Sequence, residues 1–287
     1  MLTRFSSLLT RFRSAEDTDR LPTAASDRRE RLILGLSAFA LFCLIYIFSV
    51  APGLGMGHDT GELTTCCVIQ GIPHSPGYPL FVAIGWLAQQ LPFGDNPAYR
   101  LNVLCAVEVA AAMGIFGAAL ARLVRPFPAF IATLLVGLSV PIWRQAVVTE
   151  VFSLHLFLLA GLIHLALAWE ESEEAGRREI LIWAGFFIGC ELAHQHTIAL
   201  SAPAFLLFGI LAKGRGRKWG FSLASYLVLL LAAAAPYALQ MYLAKQQPVL
   251  NWGNIQTLEA LKNHFLRKSY GTGLLNGAAL TYDSRAG

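Results

Sequence analysis

An all-α bundle of membrane-spanning helices is the fold this chain predicts, and three observations predict it. Of 287 residues, 55% are hydrophobic and only 14% are charged, whereas a soluble domain carries about 25% charged residues. The mean hydropathy is +0.54. The apolar residues also come in long runs, with most charged residues in the stretches between them. This pattern excludes disordered, collagen-like and disulfide-framework chains, and it argues against an ordinary water-soluble enzyme. The net charge of +4 is weak evidence for a nucleic-acid binder, its placement along the chain shows a different use, and no nucleic-acid partner is expected. The five cysteines have no metal-ligand spacing. Cys43, Cys105 and Cys190 lie within apolar runs, and the adjacent pair Cys66-Cys67 suits an ordinary disulfide poorly.

In chain order, residues 1–31 form a polar, arginine-rich tail with interleaved acids, which stops at an uncharged run from Leu32 to Val50. A helix of that length rises ~28 Å and crosses the hydrocarbon core. Ser49-Val50-Ala51 looks like a cleavage site, yet the preceding polar region is too long and Pro52 follows, so the run reads as an uncleaved signal anchor. An outer loop of residues 51–100 comes next. Inside it, Tyr78 to Leu91 is apolar but too short to span, and it predicts a helix lying in or dipping into the interface. Further apolar runs are Leu101 to Ala121, Phe127 to Trp143, Val151 to Trp169, Ile180 to His194, Thr197 to Ala212 and Trp219 to Leu243, which makes about seven spans in a module of residues 32–243. The fifth and sixth are short enough to form a re-entrant hairpin instead. In the tail, residues 244–287, Leu258, Leu261, Phe265 and Leu266 share one face of a 3.6-residue period, with Thr257 as N-cap and Gly271 as a stop. That segment predicts an amphipathic helix on the outer surface of the lipid bilayer.

Lys and Arg concentrate on the cytoplasmic side of short loops. With the N-terminus inside, 15 of the 22 fall on inner segments, and only Arg100 and Arg144 lie in outer loops before the last span. The N-terminus is therefore expected in the cytoplasm, and the first loop and the tail outside.

The first outer loop carries the most chemistry. Asp59 and Glu62 are three residues apart, which puts both carboxylates on one face of a helix starting at Thr60. Two readings stand: a capping box, or a catalytic pair just outside the bilayer. Other polar groups mark the outer ends of spans. Arg144 either meets a ligand or snorkels to headgroups, Glu150 either supports a site or caps the fourth span, and His194-Gln195-His196 is either a metal pair or a polar turn. Without a further ligand at suitable spacing no metal is expected, and no cofactor. Glu108 and Glu191 lie inside spans and serve either as interhelical hydrogen-bond partners or as ion sites; His155 and His164 read as packing residues. Signatures of phosphate-loop, zinc-protease and serine-hydrolase enzymes are absent. Two broad classes remain: an enzyme using a lipid-linked substrate, or a transporter.

Three stretches of the first loop carry a resemblance: His58-Asp59-Thr60-Gly61-Glu62, Gly71-Ile72-Pro73-His74-Ser75-Pro76-Gly77-Tyr78-Pro79-Leu80-Phe81, and Ala98-Tyr99-Arg100-Leu101-Asn102-Val103-Leu104. Glu150-Val151-Phe152-Ser153-Leu154, Gln195-His196-Thr197, Asn251-Trp252-Gly253 and Lys268-Ser269-Tyr270-Gly271 follow in order. Over residues 45–275 the chain resembles a family of bacterial multispanning proteins related to the metazoan O-mannosyltransferase transmembrane protein 260. Where that family usually has Gly before the acid and Ser after it, this chain has His58 and Thr60.

The resemblance implies a GT-C type glycosyltransferase. It would move a mannose-like sugar, with inversion, from a polyprenyl-phosphate carrier to an acceptor hydroxyl on a protein, lipid or glycan, outside the bacterial inner membrane. It also implies that the first-loop acid, here Asp59, is the base, with Glu62 beside it. Such a transfer needs one carboxylate to take the acceptor proton and a cationic clamp on the leaving phosphate. The cations and donors at the outer interface are Arg144, Arg267, Arg100, Lys268 and His196, with Arg144 and Arg267 ranked first, and His74, Tyr78 and Glu150 in support. The alternatives are a transporter or flippase-like protein for lipid-linked sugars, or an inactive truncated member of the family.

Overall fold

The computed structural model describes residues 24–55, 59–214 and 222–270. Among these the chain is helical throughout, without a strand; an isolated parallel bridge joins Ile72 to Asn251. The helices are α1 (Ala24–Ile47), α2 (Thr60–Ile69), α3 (Pro79–Gln89), α4 (Pro97–Leu120), α5 (Pro126–Gly137), α6 (Val140–Val147), α7 (Phe152–Glu171), α8 (Glu174–Leu192), α9 (Ala202–Gly214), α10 (Leu223–Ala244) and α11 (Leu258–Phe265). Short 3-10 turns cover His196–Ser201, Trp252–Asn254 and Lys268–Tyr270.

Helix ends depart from the apolar runs for local reasons. α1 starts eight residues before Leu32, because Ala24 to Arg31 contains good helix formers and no breaker. Most of the basic tail before it, and the expected stop at Gly271, lie outside the described residues. α4 begins at Pro97, where Asn96 accepts a hydrogen bond from the Ala98 N–H and Pro97 needs no donor partner. The third expected span is broken: α5 and α6 meet at a 67° bend, just before Pro141, which has no N–H to give the Gly137 carbonyl four residues earlier. The Tyr46 hydroxyl donates to the Gly137 carbonyl at the bend, 2.7 Å away, so a backbone acceptor there is not left bare in an apolar setting.

The helical membrane bundle is as expected, but a count of seven spans is not confirmed. Four helices are long and apolar enough to cross a membrane (Arg28–Ile47, Pro97–Leu120, Phe152–Glu171 and Leu223–Ala244), or five if the bent pair is one span. The run expected as the fifth span lies in α8, whose first turns carry Glu174, Arg177, Arg178 and Glu179, and the sixth is divided between the 3-10 turn and α9.

Small residues let the helices approach closely. A Cβ on Gly114 would lie 2.8 Å from the Gly35 carbonyl oxygen across the α1–α4 contact. Gly185 and Gly189, four apart on α8, lie under α10, where added Cβ atoms would come 2.5 Å from Ser225 O and 2.4 Å from Leu229 O. Polar side chains join the same bundle. Ser153 Oγ donates to Glu108 at 2.6 Å, linking α7 to α4, and His155 Nδ1 lies 3.0 Å from Glu191, linking α7 to α8. Above them Leu63, Cys67, Tyr78, Phe81, Leu101, Cys105, Leu154 and Cys190 form one buried cluster. It fastens α2 and α3 of the first loop onto α4, α7 and α8.

Candidate active site on the first loop

Asp59 stands at the N-cap position of α2, but its side chain makes no capping hydrogen bond. Thr60 anchors this end of the helix instead: it is buried, and its hydroxyl donates to the Thr149 carbonyl at 3.3 Å. Glu62 does not turn back to close a capping box. Its Oε1 accepts from the His74 backbone N–H at 2.7 Å, and its Oε2 lies 2.7 Å from His74 Nδ1. The other ring nitrogen, Nε2, is 3.2 Å from the Tyr78 hydroxyl and 3.9 Å from Asp59 Oδ2. Both acids therefore converge on one imidazole.

The segment that presents His74 is held from both sides. Gly71 N–H donates to Cys66 O at the end of α2, and Ile72 exchanges backbone bonds with Leu250 and Trp252 at 2.8 and 3.1 Å. Gln240 of α10 donates to Gly77 O at 2.6 Å, and Ser75 Oγ meets His264 Nδ1 of α11 at 3.1 Å. Gly77 has φ +92°, and a Cβ there would be 2.7 Å from Gln240 Oε1, so both the backbone conformation and the space favour glycine. The tail thus packs on the first loop. Thr257 caps α11 by accepting from the Ala260 N–H at 3.1 Å, Leu261 packs beside Ile72 and Ile255, and Leu258 stays exposed.

Burial would raise the pKa of Glu62, but the hydrogen bonds from the His74 ring and backbone, and the charge of that ring, hold it below the usual carboxylate range. The same Glu62 hydrogen bond raises His74 against its own burial, with Asp59 and Glu62 adding attraction and Arg267 opposing. Glu62 and His74 are accordingly an ion pair. Asp59 is the more open acid, with 43% of its side chain exposed against 21% for Glu62. Cys66 nearby is inert, its thiol pushed up to about 12, chiefly by burial.

Around this cluster the structure gathers Tyr78 and Arg267. The Arg267 guanidinium lies 5.2 Å from the Tyr270 ring centroid, and the Tyr270 ring is 6.3 Å from His74. Other candidates stand elsewhere. Arg100 donates to Phe93 O at 2.8 Å and closes the turn after α3. Arg144 on α6 and Lys268 are exposed and make no hydrogen bond or ion pair with the described residues. His196 packs on Phe265 with ring centroids 4.4 Å apart, and the buried His194 bonds the Val151 carbonyl, so these two do not form a metal pair. The Glu150 carbonyl receives Ser153 Oγ at 2.9 Å, near the top of α7. Asp59, Glu62 and His74, by contrast, each offer a ligand atom, all within 4.8 Å of one another, and could hold a cation. Sequence reasoning assigned no role to Ser75, Gln240, His264 and Tyr270. Ser75 follows His74 in the first loop, but the other three come from segments far along the chain, and no local spacing connects them to that loop.

Residues 59–218 match the family model described as the Protein O-mannosyl-transferase TMEM260 N-terminal domain, starting at Asp59 itself. The chain is similar to the Protein O-mannosyl-transferase TMEM260 of Mus musculus, 30% identical over 244 residues, which are 83% of this chain and 34% of that protein. It is also similar to the Protein O-mannosyl-transferase tmem260 of Dictyostelium discoideum, 26% identical over 249 residues, which are 82% of this chain and 30% of that protein. The chain thus spans about a third of the length of these curated relatives. No solved structure matches it.

Proposed function

The chain belongs to the TMEM260 N-terminal domain family, and from that premise we propose that it works as a membrane glycosyltransferase with its active site on the first loop. The donor is a mannose-like sugar on a polyprenyl phosphate, and the acceptor is a hydroxyl of a protein, lipid or glycan. The site faces the extracytoplasmic side of a bacterial inner membrane. The observation that carries the reading is the division of labour between two acids. Glu62 is engaged at both oxygens by His74, whereas Asp59 keeps an exposed carboxylate free of hydrogen bonds to the described residues.

In this reaction the acceptor oxygen attacks the anomeric carbon from the face opposite the phosphate. Its proton passes to Asp59, a new C–O bond forms, and the bond to the phosphate oxygen breaks with its electron pair leaving on the polyprenyl phosphate. The leaving phosphate is already acidic and needs no proton, so a second catalytic acid is not required. Arg267 beside Tyr270 supplies the positive charge that the phosphate needs. The engagement of Glu108 by Ser153 and of Glu191 by His155 supports a bundle-holding role for these acids over a transport path.

The test is incubation of the purified chain in lipid with labelled polyprenyl-phosphate mannose and a panel of hydroxyl acceptors. Label should move to at least one acceptor, and Asp59→Asn should stop it. A folded preparation that consumes no donor would overturn the assignment.

A further inference from the structure

We propose that the first loop carries a divalent-cation site in which Asp59 and His74 Nε2 bind the ion directly and Glu62 fixes the imidazole. The ion is of a kind that accepts mixed nitrogen and oxygen ligation, Mn²⁺ or Zn²⁺. Three observations lead there. His74 Nε2 and Asp59 Oδ2 are 3.9 Å apart, about half an ångström wider than two tetrahedral ligands that each lie ~2 Å from a shared ion, a gap that a small rotation of the half-exposed Asp59 side chain closes. Glu62 holds Nδ1 of the same ring at 2.7 Å; a carboxylate on the far nitrogen orients a ligating histidine and makes it more basic. Independently of these distances, Asp59 sits where a helix cap is expected and leaves that role unfilled, its side chain turned to the cluster with no hydrogen-bond donor among the described residues.

Charge agrees with geometry. Without an ion His74 is protonated and paired with Glu62; an ion at Nε2 takes the place of the proton that this nitrogen shares with the Tyr78 hydroxyl, and the two carboxylates with the then neutral imidazole carry a charge of −2, which a divalent cation cancels. His264 behind the loop is buried, packed at 3.1 Å against Ser75, and burial holds it neutral by lowering its pKa to about 4. Arg267 is the cation that acts on His74, and its guanidinium is stacked toward Tyr270. With only two direct protein ligands, the remaining positions on the ion are left for water or for the oxygens of a phosphate held between the ion and Arg267. One Asp59 oxygen would ligate while the other stays available to a proton. What the cation does there rests on the transferase reading above; whether it binds does not.

Ligand spacing did not connect Asp59 and His74, because they are fifteen residues apart, at a helix end and in a proline-rich loop that only tertiary packing joins. The experiment uses the whole purified chain in nanodiscs with Mn²⁺ alone, without donor or acceptor, followed by electron paramagnetic resonance. One saturable site is expected, with ¹⁴N coupling from an imidazole in the pulsed spectrum. His74→Ala should remove that coupling, Asp59→Asn should weaken binding at least tenfold, and Glu62→Gln should weaken it about 10–100-fold. Because Asp59 is half-exposed and caps nothing, Asp59→Asn folds as the parent does, and thermal melting verifies this. Absence of a saturable site in the folded parent overturns the proposal, as does equal affinity in parent and Asp59→Asn, or nitrogen coupling that survives in His74→Ala. Binding without sugar transfer would support the cation site and count against the transferase alone.

Discussion

Asp59 and Glu62 lie one helical turn apart and are held differently, because His74 engages one Glu62 oxygen through its backbone N–H and the other through its ring, and leaves Asp59 open. Replacing Asp59 by Asn removes the proposed base while keeping its shape. Transfer should fall by at least about 10²-fold, and the melting temperature should hold, since no capping bond is lost. Single-turnover assays beside thermal melts check both halves, and undiminished turnover would return Asp59 to a structural role. The arginines separate in the same way. Arg267 acts on His74 and Tyr78, whereas Arg100 is engaged by the Phe93 carbonyl and Arg144 contacts no charged group among the described residues. A charge-assisted contact to phosphate contributes about 1.5–3 kcal/mol, so Arg267→Gln should weaken donor binding roughly tenfold or more while Arg144→Gln leaves it unchanged. Equal losses in the two variants, measured by titration of labelled donor, would move the clamp away from Arg267.

At the scale of elements, the site exists because α11 and the end of α10 press on the proline-rich segment after α2. His264 is the most sensitive joint. Its folded pKa is depressed to about 4, by burial first, from the usual 6.5. The folded state therefore binds fewer protons than the open state between those values, and docking of α11 weakens as pH falls through that window, by about 1.4 kcal/mol per pH unit. The protection factors of residues 258–265, exchange rates taken relative to the intrinsic rate at each pH, should fall between pH 6.5 and 4, and His264→Gln should flatten the dependence; protection that stays constant with pH in the parent would show that the joint stays shut on protonation. The α8–α10 contact makes a second test. Leucine at Gly189 drives a side chain into the Leu229 carbonyl and should cost about 1–3 kcal/mol or more. Gly61→Ala, where nothing lies within 4 Å of the new methyl, should be neutral or stabilising by up to about 1 kcal/mol. Detergent melting curves of the two variants should diverge accordingly.

For the whole molecule, long-range bonds bring distant turns to one end of the bundle. Thr60 reaches Thr149, the Leu80 N–H reaches the Ala193 carbonyl at 3.1 Å, and Gln240 reaches Gly77. The bent α5–α6 pair therefore returns the chain to the first-loop end, as one straight helix would. The distribution of Lys and Arg predicts which side that end faces. Reporters fused after Leu91 and after Gly253 should read extracytoplasmic, and one after Glu173 cytoplasmic. A cytoplasmic reading at Gly253 would separate the tail from Asp59 and contradict the packing of His264 on Ser75.

The sequence by itself determined the helical membrane class, through apolar runs too long and too uncharged for water, and it marked the first loop, through acids and prolines standing where a mere connector would have neither. It named Asp59, Glu62, His74, Tyr78 and Arg267 but ranked Arg144 beside Arg267, since both are arginines placed at an outer helix end. Tertiary structure separated them in space, with Arg267 near His74 and Arg144 on α6. It turned Glu62 onto His74, left Asp59 open, broke the third apolar run at the Pro141 bend, and brought Tyr270 and His264 to the loop from nearly 200 residues away. Periodicity and hydropathy report how a residue meets solvent or lipid along its own helix, whereas the choice of partner for a carboxylate depends on which distant backbone packs against it.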